Sequence, residues 1–185
     1  MAYNEEEIAG LLTERFDGIT VTIQRERRLW LESQREGFLE VLEFIHDDLG
    51  FDSLCTVTGI DGGEVFQLIY HLAHECGIVL NAKVSAPREN PVFDTATNIY
   101  KGGIFYELEA RNLLGLTVLG IPEDIVYPLP DNWPQGNYPL RKDWVGLPEK
   151  DEPAQEAAEA GEAKAGEAKA ATPDALSAQE EVENG

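Results

Sequence analysis

The sequence predicts an α+β domain: a small mixed sheet with flanking helices, then an extended arm rich in proline and aromatic residues, then an acidic tail. Three observations carry this. Strand-like and helix-like hydrophobic periods are interleaved between residues 3 and 116. Six prolines fall between 122 and 148, which forbids long regular elements there. Beyond Pro148 the chain has no aromatic residue at all.

The elements follow in order. Ile8, Leu11 and Leu12 are spaced as one face of a short helix over 3–15. GITVTIQ (18–24) alternates and is rich in β-branched residues, so it reads as a strand. RERRLWLES reads as a lead-in to a helix over 36–50, where Phe38, Leu39, Leu42, Ile45 and Leu49 share a face and Gly50 supplies the stop. FDSLCTVTGID (51–61) is a strand, Asp61-Gly62-Gly63 a hairpin turn, and EVFQLIYHLAH (64–74) the return strand. A third strand over 77–86 pairs next and ends at Pro87. Residues 87–103 read as a loop or broken helix, and IFYELEARNLLGL (104–116) as a helix.

The 185 residues carry 14 basic and 35 acidic side chains, a net charge of −21. That balance disfavours nucleic acid, whose phosphates demand a Lys/Arg surplus, and direct contact with an anionic membrane. No apolar run approaches the roughly 18 to 20 residues of a spanning helix. The acidic N-terminus MAYNEEEIAG reads as neither a signal nor a transit peptide. The charge is uneven: residues 149–185 hold 11 acidic and 3 basic side chains, with a tandem GEAKA at 161–165 and 166–170. Such a segment buries too little apolar surface to offset its ordering entropy. The expected organisation is a domain over 1–147, including an arm at 120–147, and a disordered Ala/Glu-rich tail over 148–185.

Candidate chemistry is sparse. There is no phosphate-binding glycine loop, no G-x-S-x-G elbow and no H-E-x-x-H. His71 and His74 differ by three and so face opposite sides of a strand, and His46 lies far off in sequence. Cys55 and Cys76 read as reduced thiols in or near the core; two thiolates complete no iron–sulfur site. No catalytic, cofactor or metal residue is therefore assigned. Glu107 and Arg111 are an i,i+4 helix pair, worth about 0.3–0.5 kcal/mol on a surface. An alternative is a free-standing small enzyme using Glu107, Glu109 and His71 in a cleft; another is an acidic adaptor acting through its tail.

The unusual segment is the arm, LPDNWPQGNYPLRKDW at 129–144. Two tryptophans, a tyrosine and three prolines accompany the doublet Arg141-Lys142 in an otherwise acidic chain. Aromatics and arginine are favoured interface anchors, so Trp133, Tyr138, Arg141, Lys142, Asp143 and Trp144 are the candidate partner-binding residues. The competing reading is a strap closing over its own domain.

This arm closely resembles the ending of the 30 kDa subunit of respiratory complex I. Members end in leucine, proline, an acid and tryptophan, a short Pro/Gly turn, and Pro-Leu-Arg-Lys-Asp-aromatic. The counterparts are Leu129, Pro130, Asp131, Trp133, Pro134 and Gly136, then Pro139, Leu140, Arg141, Lys142, Asp143 and Trp144. The family's signature helix is matched by Glu107, Glu109, Arg111 and Gly115. Leu108 stands in place of its arginine and Asn112 in place of its acid; Ile121 replaces a histidine, and Ile125 and Val126 a basic pair. The likeness runs over roughly 36–146 and extends to the related subunit of energy-converting nickel–iron hydrogenases and formate hydrogenlyase-type complexes.

The resemblance implies a non-catalytic peripheral-arm subunit of a membrane-associated complex, either NADH:quinone oxidoreductase-like or hydrogenase-like. It implies packing against the large subunit of quinone-site or nickel–iron type, and against other peripheral-arm subunits. It also implies that this chain binds no cofactor, while its neighbours carry iron–sulfur clusters and, in the hydrogenase branch, a nickel–iron centre. The implied place is the cytoplasmic side of the cell membrane, with the membrane touched only through the complex.

Overall fold

A computed structural model of the chain describes residues 3–147. The expected acidic tail lies outside the described residues. Helix α1 (Glu5–Arg15) begins at a capping box: Asn4 Oδ1 accepts from the Glu7 amide at 2.9 Å, and Glu7 accepts from the Asn4 amide at 3.0 Å. Strands β1 (Thr20–Arg25) and β2 (Arg28–Ser33) form a hairpin, and α2 (Phe38–Asp47) follows. Strands β3 (Ser53–Asp61), β4 (Val65–Ala73) and β5 (Val79–Pro87) form a meander. Then come β6 (Val92–Asp94), α3 (Ile104–Leu114) and β7 (Thr117–Leu119). No helix or strand lies between 120 and 147.

The main sheet has the order β1-β2-β5-β4-β3, antiparallel except for the parallel pair β2–β5. It is the small mixed sheet of an α+β fold. Strand β2 corrects the sequence reading, which takes RERRLWLES as a lead-in. Leu29 and Leu31 are fully buried, whereas Arg28, Trp30, Glu32 and Ser33 are not, a period of two masked by the surrounding charge. The parallel β6–β7 pair corrects the loop reading of 87–103. These strands are three residues long, too short to announce themselves by pattern.

The core lies on one face of the main sheet. Phe66, Leu68, Tyr70 and Leu72 of β4 point into it with Leu80, Ala82 and Val84 of β5, and meet Phe38, Leu42 and Ile45 of α2. Helix α3 packs against β3 at Gly59, where a Cβ would come within 2.7 Å of Leu114 Cδ1. A side chain at Gly59 would have to displace the Leu114 side chain and would crowd Ala110 Cβ at 3.3 Å.

Candidate partner-binding surface

Tyr70 faces the core from β4, and its hydroxyl donates to Glu107 Oε1 on α3 at 2.9 Å. The same oxygen accepts from the Ala96 amide at 2.9 Å, and Oε2 accepts from the Thr95 hydroxyl at 2.5 Å. Glu107 has no solvent exposure. Burial pushes its carboxyl above the ordinary glutamate value, against the opposing pull of these three donors. Glu107 thus fastens α3 to the sheet and to the loop at 95–96. The expected surface pair with Arg111 is overturned, because a residue on the first buried stripe of α3 faces the sheet while Arg111 points elsewhere. Arg111 donates to the carbonyls of Pro122, at 2.6 Å, and Ile125.

The second polar centre is Asp61, at the end of β3. Oδ1 accepts from Arg88 Nη1 and from the Gly63 amide, each at 2.8 Å, and Oδ2 accepts from the Lys142 amide at 2.9 Å. Burial alone would raise this carboxyl. The Arg88 guanidinium and the amides of Lys142 and Gly63 outweigh it and hold the pKa down at about 2. Arg88 Nη2 also pairs with Asp143 at 2.8 Å. Neither Asp61 nor Arg88 stands out in the sequence except as turn punctuation. Their signal is positional: they flank the two ends of the β4–β5 hairpin that meet the arm.

The arm closes on the C-terminal end of α3. Gly115 takes φ +70°, the left-handed C-cap that only glycine adopts readily. Arg141 Nε donates to the Leu114 carbonyl at 2.6 Å and Nη2 to the Gly115 carbonyl at 3.2 Å. The Leu140 amide donates to the Leu113 carbonyl at 3.0 Å. The guanidinium stacks 4.4 Å from the Tyr138 ring centroid and 5.2 Å from that of Phe66. The signature helix and the Pro-Leu-Arg-Lys-Asp segment are therefore one joined structure.

The candidate arm residues divide accordingly. Arg141, Tyr138 and Asp143 make contacts within the chain, and Lys142 contributes its amide. Trp133 is half-buried and donates Nε1 to the Asn137 carbonyl at 2.8 Å, which folds the turn at 134–137 on itself. Trp144 is exposed, as is the Lys142 side chain. Glu109 is exposed beside Thr56, Gly59, Ala110 and Leu140, in a groove of about 310 Å³ between β3 and α3.

The remaining candidates are not brought together. His71 follows Tyr70 in β4, so it occupies the sheet face opposite Glu107; the enzyme constellation of Glu107, Glu109 and His71 does not form. Instead His71 Nδ1 donates to Asn81 Oδ1 at 2.6 Å. The Asn81 amide is fixed by donating to the Leu29 carbonyl, so Nε2 accepts from the Thr58 hydroxyl at 3.0 Å. His46 contacts Asp47 at 2.6 Å, and His74 stacks edge-on against Phe51. Cys55 and Cys76, expected in or near the core, are both exposed. Cys55 sits at the bulge of edge strand β3, and Cys76 in the turn between β4 and β5. Among the described residues, no three His, Cys, Asp or Glu side chains converge on a metal position.

Residues 31–150 match the family model described as the respiratory-chain NADH dehydrogenase 30 Kd subunit. The chain belongs to that family. Among its relatives, the membrane-bound hydrogenase subunit beta of Pyrococcus furiosus is 29% identical over 160 residues, covering 78% of this chain and 88% of that one. A subunit of the F(420)H(2) dehydrogenase of Methanosarcina mazei is 35% identical over 114 residues, covering 60% and 72%. A solved chain of the membrane-bound sulfane sulfur reductase, an archaeal respiratory membrane complex, is similar in fold to this chain, with a TM-score of 0.69. Its identity is 24%, and the likeness covers 77% of this chain and 86% of that one. No helix among the described residues of this 30 Kd family member is long and apolar enough to cross a membrane.

Proposed function

We propose that the chain is a non-catalytic peripheral-arm subunit of a membrane-associated oxidoreductase complex of the NADH:quinone oxidoreductase or energy-converting hydrogenase type. It assembles with the large subunit of quinone-site or nickel–iron type and with other peripheral-arm subunits. One observation carries the reading: the polar residues that look reactive hold the chain's own parts together, while large apolar side chains stand in solvent. Glu107, Asp61, Arg88, Arg111 and Arg141 are all committed to internal bonds. Phe105, Tyr127, Leu140, Trp144 and Val145 are exposed. A rigid body with unreactive polar groups and open apolar ones suits assembly rather than turnover.

On this reading the iron–sulfur clusters, and a nickel–iron centre where there is one, belong to neighbouring subunits. The complex lies on the cytoplasmic side of the membrane, which this chain touches only through its partners. The 120–147 segment acts as a docking arm whose outer side chains, Lys142 and Trp144 among them, face the large subunit.

The test is purification through a tag on this chain. A large subunit with intact nickel-binding cysteines in the eluate supports the hydrogenase type, and one lacking them supports the quinone type. Recovery of the chain alone defeats the docking reading of the arm, and so does a chain truncated after Val126 that keeps every association. Turnover by the isolated chain, abolished by Glu109→Gln, would replace it with the enzyme alternative.

A further inference from the structure

Helix α3 and the loop at 122–127 form a surface whose backbone and side chains point in opposite senses. Three loop carbonyls are satisfied from the helix: Arg111 donates to those of Pro122 and Ile125, and Asn112 Nδ2 to that of Tyr127 at 3.0 Å. With its backbone held inward, the loop turns its apolar side chains out. Ile125, Val126 and Tyr127 are 39%, 45% and 40% exposed. The Tyr127 ring meets Phe105 edge-to-face at 5.5 Å, and Phe105 is 59% exposed. Four large apolar residues thus form one patch, held by hydrogen bonds that need no further ordering on contact.

The rim of the patch is acidic. Glu123 and Asp124 precede Ile125, and Glu109 stands one turn along α3 from Phe105; all three are exposed. Arg111 is half-buried and turned into the loop carbonyls, and Lys101, four residues before Phe105, sets one exposed cation against these three carboxylates. The geometry points to Phe105, Ile125, Val126 and Tyr127 as the docking site for a different subunit, one that presents an apolar pocket bordered by lysine or arginine. The rim argues against the other occupants. An anionic membrane would face the carboxylates. A second copy of this chain would set carboxylate against carboxylate. The inference rests on the subunit reading but shifts contact away from Arg141, which is spent on the end of α3.

The experiment uses the native complex, isolated through a tag on this chain, with benzoylphenylalanine in place of Phe105 or of Val126. Irradiation is expected to join both positions to the same foreign subunit, at a peptide with lysine or arginine within a few residues. Crosslinks to a second copy, to lipid, or to no other chain overturn the inference. The same probe in place of Trp144 separates the two readings. Crosslinks from Trp144 alone keep the subunit and remove this surface; no partner at any position and no recovered complex remove both. The double variant Glu123→Lys/Asp124→Lys is expected to lower partner recovery at low salt by about tenfold or more and to flatten its salt dependence. A folded variant, by circular dichroism, with unchanged recovery overturns the inference.

Discussion

Arg141 occupies the space that a side chain on Gly115 would need. A Cβ built on Gly115 would lie 2.6 Å from Arg141 Nη2 and 2.5 Å from the Tyr138 ring. The residue that ends α3 and the residue that caps it are therefore matched by shape as well as by hydrogen bonding.

Gly115→Ala should accordingly destabilise the domain in two ways. The left-handed backbone at φ +70° costs a non-glycine residue about 1–2 kcal/mol. The added methyl also displaces Tyr138 and Arg141, with loss of the bonds to Leu114 and Gly115. Denaturant unfolding should show a loss above that backbone figure, and Arg141→Ala should add little to Gly115→Ala in the double variant.

Asp61 gives the fold an acid-sensitive joint. Its folded pKa, about 2, lies below the ordinary value of 3.8, so its contribution is complete by about pH 5 and disappears as the pH falls through the folded value. The difference corresponds to about 2 kcal/mol. Stability measured between pH 5 and about 2 should fall in the native chain. It should fall less in Asp61→Asn, which starts lower.

Glu107 should behave in the opposite sense. Its folded pKa is raised above 4.5, chiefly by burial, so ionisation is less favourable in the fold than in the unfolded chain. Its stability share therefore declines as pH rises from 4.5 through the folded value. Glu107→Gln removes that decline, and its stability relative to the native chain should improve with rising pH in unfolding curves. Glu107→Ala strands the buried Tyr70 hydroxyl and Ala96 amide, at about 1–3 kcal/mol each, and should lower stability at every pH.

Arg111→Met tests the loop alone. The carbonyls of Pro122 and Ile125 lose their donor but remain open to water, so global stability should change by less than about 1 kcal/mol. Backbone NMR order parameters over 123–127 should fall while those of β4 are unchanged.

Much of this architecture is legible in the sequence because the period of its apolar residues is long enough to count. Strands β3, β4 and β5 each span nine residues, and α2 has a continuous buried face at Phe38, Val41, Leu42 and Ile45. Strand β2 is hidden by local charge, since Arg28 and Glu32 look like loop residues until a neighbouring strand covers Leu29 and Leu31. The two motif segments are visible separately. Their junction is not, because Arg141 and Leu114 are joined across intervening chain, and nothing in local sequence reports that a side chain bonds to a distant carbonyl. Glu107 is misread for a related reason. Its i,i+4 partner is present in the sequence, whereas Tyr70 and Thr95 approach it only through the fold.

The one parallel pair of the sheet has a consequence for how the chain acquires its shape. Arg28 of β2 is aligned with Val79 of β5, so the first hairpin cannot join the sheet until about fifty more residues exist. At about 5–20 residues per second of synthesis, that is a wait of roughly 3 to 10 seconds. During it Leu29 and Leu31 are paired with β1 on one side only, and the other edge of β2 offers an open row of amides and carbonyls. The nascent chain is most vulnerable to wrong pairing in that interval, at an element that the finished domain keeps in its interior.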